Sequence, residues 1–394
     1  MKPLEGVKVL DVTRVLAGPF AGMMLADLGA DVIKIENPKG GDDSREFTPF
    51  QNGHSAYFMS VNRSKKGITL NLKTEEGKKI FKELVKKADI VIENFKPGTM
   101  TRLGLDYNTL KEINPKLIYA ALSGFGQYGP YSSRPAYDLI VQGMGGLMSI
   151  TGYDDRHPIK VGSSIADLLS GIFTVIGILS ALYARRKTKR GQMVDVAMLD
   201  CLVAALENAV ARYTASGKSP APTGNAHPSI CPFETLKTKD GFANIAVGNN
   251  ALWEKVCKAM GLEKYINDPN YDTNPKRIAN REKVINLITE KTKTKTTNEL
   301  LKELMAENVP CGPINTIEDV VNDPQIKARE MIVEIPDPTG QMLKVQGIPI
   351  KFSDTPAEIK CSAPELGQHN EEIYNKWLHM KKSHIKKLKE QGVI

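Results

Sequence analysis

Cysteine is scarce in this 394-residue chain. There are five, at Cys201, Cys231, Cys257, Cys311 and Cys361, and the nearest pair, Cys231 and Cys257, lies 26 positions apart. No Cys-x-x-Cys spacing exists, so a zinc ribbon or a dithiol redox motif is excluded, and an odd, widely spread set is no disulfide scaffold. Free thiols in a reducing cytoplasm are the expectation. Histidine is also sparse. The six residues show no metal spacing, and His379 and His384, five apart, do not share a helix face; no metal site is expected. No P-loop, HExxH or GxSxG motif occurs. The N-terminus, MKPLEGVKVLDVTR, has no apolar signal region before a cleavage site. Long apolar runs are absent with one exception. Residues 168–184 read LLSGIFTVIGILSALYA, and Arg185, Arg186 and Lys187 follow. At about 17 residues, with two Gly and two Ser inside and Asp167 at its leading edge, the run reads as a buried core helix rather than a membrane span.

What remains is ordinary globular composition, 41% apolar and 25% charged, in a length that suits two or three domains. The formal charge of +8 favours an anionic partner. Because the basic residues are spread along the chain, phosphorylated small molecules fit as well as nucleic acid.

The fold class reads as α/β. Val7 to Val12 is a β-branched run, Pro19 to Leu28 a helix closed by Gly29, and Asp31 to Ile35 a second strand; this βαβ unit predicts a parallel sheet. Thr74 caps a helix through Ala88 whose Ile80, Phe81, Leu84 and Val85 share one face. Asp89 to Glu93 and Leu117 to Leu122 are further buried strands. Residues 1–198 are therefore expected to form a large, Rossmann-like domain. A helix is expected from about Asp200 to Ser216, and 199–220 is read as the connection to a smaller α+β domain at 221–318. That domain opens with a hairpin, FETLK–turn–FANIAV, followed by helices at Ala251–Met260, Lys276–Glu290 and Thr297–Asn308. Residues 319–394 return to complete the large domain, and the basic tail HMKKSHIKKLKE reads as a solvated amphipathic helix.

Three features bear on chemistry. GFGQYG at 124–129 matches GxGxxG after a strand, but Pro130, Ser132, Ser133, Arg134 and Pro135 follow it rather than a helix. A pyrophosphate would find no helix N-terminus there, so the segment reads as a glycine-rich loop close to some other ligand. Asp167 precedes the apolar run. It reads as a helix N-cap and, compatibly, as a carboxylate at the edge of an apolar wall, held ionised by the helix N-terminus and able to act as a nucleophile. His227, in the Pro-rich stretch between the domains, is either a structural hydrogen-bonding side chain or a substrate group.

Blocks in order along nearly the whole chain resemble the family III CoA-transferases, the group of formyl-CoA transferase, carnitine CoA-transferase and the α-methylacyl-CoA racemases. They are PLEGVKVLDVTRVLAGPFAGMMLADLGADVIKIE, NRSKKGITLNLK, ADIVIENFKPGTMTRLG, RPAYDLIVQGMGGLMSITG, the surroundings of Asp167, RKTKRGQMVDVAMLDC, PCGPINTIEDVVNDPQ and LGQHNEE. GNAHPSICPFETLKTKDG followed by AVGNNALWEKVCK is similar to the succinyl-CoA:glutarate branch.

The resemblance implies a transferase that moves CoA from a short, succinyl-CoA-like donor to a carboxylic acid, with coenzyme A and acyl-CoA as substrates and no permanently bound cofactor. Its nucleophile falls on Asp167. CoA-binding positions fall on Val15, Leu16 and Ala17, on Leu70 to Lys73, on Asn94, Phe95 and Lys96, on Arg102, and on Ala136, Tyr137 and Asp138; Lys39 is a further cation for CoA phosphates. Leu16 replaces a glutamine of formyl-CoA transferase, and Tyr137 stands where the racemases have a histidine. Oxyanion donors are expected from Gly145-Gly146 and from Gly248-Asn249-Asn250, and acceptor contacts from His227, Gly248 and Asn249. The family fold implies an interlocked homodimer, with neither nucleic acid nor membrane as partner. The alternatives are a racemase-type enzyme and a non-catalytic CoA-binding protein.

Overall fold

The computed structural model describes residues 1–154 and 156–394. These fall into two compact units, one of Met1–Leu147, Lys160–Val210 and Pro324–Ile394, the other of Met148–Ile159 and Ala211–Asp323.

The first unit alternates strand and helix: β1 (Lys8–Asp11), α1 (Ala17–Asp27), β2 (Asp31–Glu36), β3 (Lys66–Thr69), α2 (Glu75–Val85), β4 (Ile90–Glu93), β5 (Ile118–Ser123), α3 (Asp138–Met144), α4 (Ile165–Thr188) and β6 (Met193–Ala197). Among the described residues, these six strands form one sheet in the order β3-β2-β1-β4-β5-β6, with every pairing parallel. Strands β4 and β5 are buried along their whole length, as in sheets covered on both faces, which is why they read as continuous apolar runs. The strand order reverses between β1 and β4. The crevice beyond the carboxyl ends of those two strands is where open α/β sheets bind ligands.

Helix α2 carries its predicted face inward: Ile80, Phe81, Leu84 and Val85 are buried, and the Thr74 hydroxyl accepts the Gly77 N–H at 3.0 Å as the N-cap. The apolar run forms α4, but only one face is packed. Ala166, Ser170, Gly171, Thr174, Val175, Ile178 and Ala181 are buried, while Ile172, Phe173 and Ile176 are open. By length and composition α4 could cross a membrane. Its glycines instead mark close packing: a Cβ at Gly171 would come within 2.8 Å of the Ala17 carbonyl oxygen, and one at Gly177 within 2.6 Å of Val194.

The helix expected over 200–216 is broken. It forms α5 (Met198–Ala204) and α6 (Ala209–Ser216), separated by a turn in which Glu207 takes φ 55°, a left-handed conformation that interrupts the helix. Residues 370–378 and 382–390 return to the first unit as helices. The Tyr374 hydroxyl donates to the Thr69 carbonyl at 2.6 Å, and Asn71 N–H donates to the Val393 carbonyl at 2.8 Å. The basic tail is amphipathic but docked: Ile385 and Leu388 join the core beside β3.

In the second unit, β7 (Phe233–Lys237) and β8 (Phe242–Ala246) form the expected hairpin, and β9 (Cys311–Pro313) adds a third antiparallel strand. The helix expected at Lys276–Glu290 is interrupted at Asn280, giving helices at Asn274–Ala279 and Arg281–Thr292. Trp253, Val256, Ile288, Leu300 and Leu304 form the core.

Candidate active site

Two adjoining clefts open at the carboxyl ends of the first unit's strands. One, of about 270 Å³, is lined by Val15, Leu16 and Ala17 after β1, by Asn94, Phe95 and Lys96 after β4, by Gly124, by Ala136 and Tyr137, and by Asp167. The other, of about 500 Å³, is lined by Lys39, by Leu70 to Lys73, by Phe95 and by Arg102. Arg14, Asp43 and Phe95 belong to both walls. Residues scattered over the first 167 positions are thus gathered on one sheet edge. The GFGQYG segment is loop: Gly124 lines the first cleft, and the Gly126 N–H donates to the Ser123 hydroxyl at 3.0 Å.

Asp167 is not an N-cap. Helix α4 begins at Ile165 after Ser164, so Asp167 sits in its first turn, half-buried, with its side chain at the cleft. The helix start is capped from elsewhere. Asp138 Oδ1 accepts the Ala166 N–H at 2.9 Å, and its Oδ2 accepts from Gln142 Nε2 at 2.7 Å. Asp138, read from the sequence as a CoA-binding residue, is therefore a buried residue that fixes the start of α4, because both its oxygens are already engaged. Its charge also reaches Asp167. Burial, and then the Asp138 carboxylate, push the Asp167 carboxyl up to about 7. The helix N-terminus was expected to keep Asp167 ionised; desolvation and a like charge outweigh it.

The cationic residues of the second cleft, Lys39, Lys73 and Arg102, are exposed. Leu70 is buried beneath them, its N–H donating to the Glu36 carbonyl at 2.7 Å. Tyr137 is 74% exposed beside the first cleft. Gly145 and Gly146 do not supply oxyanion donors: their N–H groups close the last turn of α3, donating to the Val141 and Gly143 carbonyls at 2.7 and 3.3 Å. His227, Gly248 and Asn249 lie in the second unit. The His227 ring packs on Phe233 with centroids 5.2 Å apart, and its Nδ1 accepts the Ser229 N–H at 3.1 Å. The Asn249 side-chain oxygen is occupied as the N-cap of the helix at Asn250–Met260, accepting the Leu252 N–H at 2.9 Å.

Three residues escaped the sequence reading. The Tyr57 hydroxyl is pushed up to about 12 by burial first and then by the charges of Asp167, Asp42 and Asp138. Arg14, ion-paired with Asp43, stands on the wall shared by both clefts, and Arg134 lines the first cleft, stacked on Tyr131 at 4.0 Å. Both arginines lie inside motifs that carry the family resemblance, where a cation two residues before Leu16 and three before Tyr137 was the available signal.

Comparison with known proteins gives the family. The chain matches the model of CoA-transferase family III over residues 4–370. It is 43% identical to the succinate--glutarate CoA-transferase of Agrobacterium fabrum over 94% of each chain. It is 39% identical to the human succinyl-CoA:glutarate CoA-transferase, covering 100% of this chain and 90% of that one. A crystal structure of a CAIB/BAIF family protein from Brucella suis superposes with a TM-score of 0.85 at 45% identity, covering 95% of this chain and 99% of that one. The chain belongs to CoA-transferase family III and is a CoA-transferase.

Proposed function

We propose that the protein moves CoA from succinyl-CoA or a similar short acyl-CoA to a dicarboxylic acid of glutarate size, with Asp167 carrying the acyl group. The observation that carries this reading is a half-buried carboxyl in the first cleft, without a cationic partner among the described residues, whose proton affinity is raised to neutrality. A more basic carboxylate is a better nucleophile once ionised. The Asp167 carboxylate oxygen attacks the thioester carbonyl, the carbon–sulfur bond breaks, and CoA leaves as thiolate with a mixed anhydride on Asp167. Thiolate attack on the aspartyl carbonyl releases the donor acid and leaves an aspartyl thioester. The acceptor carboxylate then displaces CoA, and the thiolate takes the acceptor acyl group, regenerating Asp167. The first turn of α1, whose N-cap Leu16 has no side-chain acceptor, offers backbone donors to the developing oxyanion.

CoA phosphates bind Lys39, Lys73 and Arg102 in the second cleft, with Arg14 at the junction. The substrates of the similar enzymes from Agrobacterium fabrum and human support the dicarboxylic acceptor, and His227, Gly248 and Asn249 are its proposed contacts. Tyr137, at the position of the racemases' histidine, leaves no imidazole base for exchange at the α-carbon.

Two further parts of the reading concern the whole molecule. A homodimer is supported by the open apolar residues Leu139, Ile140 and Met144 on α3 and Ile172, Phe173 and Ile176 on α4, and the family resemblance makes it interlocked. A cytoplasmic location is supported by five free thiols.

Incubation with succinyl-CoA followed by hydroxylamine tests the central step. The hydroxamate should appear on the peptide containing Asp167. Turnover at the wild-type rate in Asp167→Asn would remove it as nucleophile.

A further inference from the structure

The turn after β1 is held in a way that nothing so far uses. Its three successive N–H groups each donate to a side-chain oxygen from a different part of the unit. Thr13 N–H reaches Asp11 Oδ1 at 3.0 Å, Arg14 N–H reaches Asn94 Oδ1 at 2.8 Å, and Val15 N–H reaches Asp42 Oδ1 at 3.0 Å. Asn94 Nδ2 also donates back to the Arg14 carbonyl at 2.8 Å. At the end of this turn Val15 adopts φ 68°. A β-branched residue in the left-handed region persists only where its surroundings over-determine it, and such positions cluster at functional sites.

Asp42 supplies the determinant at Val15, and it is itself immobilised. Its Oδ1 also accepts from the Ser44 N–H and hydroxyl at 3.0 and 2.8 Å, its Oδ2 accepts from Lys34 Nζ at 2.7 Å, and its own N–H donates to Glu36 Oε2 at 2.9 Å. Lys34 Nζ donates a second time, to the Thr13 carbonyl at 3.0 Å. The Lys34 and Asp42 side chains are 0% exposed. A fully buried ion pair adds little net stability over apolar residues of the same volume, so its presence here calls for a role other than stability. Its two bonds to the turn, at Thr13 and Val15, bracket the residues that precede Leu16 and Ala17 on the wall of the Asp167 cleft.

We propose that Asp42, locked by Lys34, is a positioning residue for acyl transfer: it holds Val15 in the left-handed turn that sets Leu16 and Ala17 against the reacting carboxyl. This rests on the assignment of Asp167 as nucleophile. Asp42 borders the second cleft, but its side chain and that of Lys34 are fully buried, so the pair acts on the Asp167 cleft through the backbone of the turn.

The test compares two double variants that each remove both buried charges. Lys34→Met with Asp42→Asn keeps an oxygen for the Val15 N–H, whereas Lys34→Met with Asp42→Leu does not. The Leu pair should lose about ten- to a hundred-fold in kcat, with a smaller change in the acyl-CoA KM through Val15, Leu16 and Ala17, the signature of a displaced wall. The Asn pair should retain most of the rate. Adding Val15→Gly to the Leu pair should recover about fivefold or more, because glycine enters the turn without the bond. Equal kcat in the two folded pairs, or no recovery with glycine, overturns the proposal. Hydrogen exchange of residues 13–17 on an Asp167→Asn background separates this from the nucleophile assignment. Faster exchange in the Leu pair than in the Asn pair supports the clamp whatever becomes of Asp167, and equal exchange defeats it even if Asp167 is acylated.

Discussion

Asp42, bonded to the turn after β1, and Asp167, on the cleft that this turn also lines, are opposites. Asp42 is fully buried, yet Lys34 and the N–H groups of Ser44 and Val15 hold its carboxyl well below the usual carboxylate range despite the burial. Asp167 is only half-buried, yet burial and the neighbouring Asp138 charge raise it to about 7. Burial raises both carboxyls; at Asp42 a cation and N–H donors reverse it, and at Asp167 a like charge adds to it. One carboxylate is neutralised by a cation and becomes scaffold. The other is half-buried beside a second acid and holds its proton up to about neutrality.

The largest expected effect follows from removing the proposed nucleophile. Asp167→Asn or Asp167→Ala should reduce transfer more than about a thousandfold while the chain still folds. The linkage sign runs against the wild type here. A carboxyl whose folded pKa lies above its unfolded value costs stability as pH rises from about 4 through about 7. Asp167→Asn should therefore melt higher than wild type at pH 8 and much closer to it at pH 4, by calorimetry; a lower melting point at pH 8 would break the contrast with Asp42.

Removing the cation tests the other side. Lys34→Met alone leaves Asp42 buried and unpaired, and denaturant unfolding should register a loss of about 3–5 kcal/mol. For Asp42 the sign is reversed. Its contribution is present above about pH 4 and disappears as pH falls below the usual carboxylate range, so the deficit of Lys34→Met should narrow in acid.

The second cleft should behave differently from both. Arg102→Ala or Lys73→Ala should raise the acyl-CoA KM about ten- to a hundred-fold, as expected for losing a charge-assisted phosphate contact of about 1.5–3 kcal/mol, and leave kcat nearly alone. The loss should shrink with dephospho-CoA esters if the contact is to the 3′-phosphate.

A smaller shift sharpens the comparison directly. Asp138→Asn removes the like charge, so the pH profile of acyl-enzyme formation, which should rise through about 7 in the wild type, should move toward acid by about one unit or less. An unmoved profile would assign the raised proton affinity to burial alone. The smallest effect is expected at His227, whose ring already packs on Phe233: His227→Ala should raise the acceptor KM a few-fold (about threefold to tenfold), more for dicarboxylic than monocarboxylic acids, with the acyl-CoA KM unchanged. Equal effects on both acids would make it a scaffold residue.

Much of the first unit was legible beforehand because its signals are local. The β-branched runs of β1 and β2, the Thr74 cap and the four-residue apolar face of α2 reflect energies that neighbours in sequence set. What failed was also local in appearance but non-local in cause. Nothing in the Asp200–Ser216 pattern announces that Glu207 will turn left-handed. Gly145 and Gly146 looked like donors until their N–H groups were seen to close α3. The apolar run looked wholly buried because composition does not say which face lacks a neighbour.

Residue types and their order along the chain determined the α/β class, the CoA-transferase resemblance and the choice of Asp167 with its cation-bearing loops, since each rests on short-range pattern. Which carboxylate would be protonated near neutrality, which would be locked, that the Asp167 charge would reach Tyr57, and that Arg14 would share the Asp167 cleft were decided only by tertiary structure. Charge interactions and desolvation act through space, and Asp42, Asp138 and Asp167 acquire their properties from groups the chain brings beside them only after the sheet has formed.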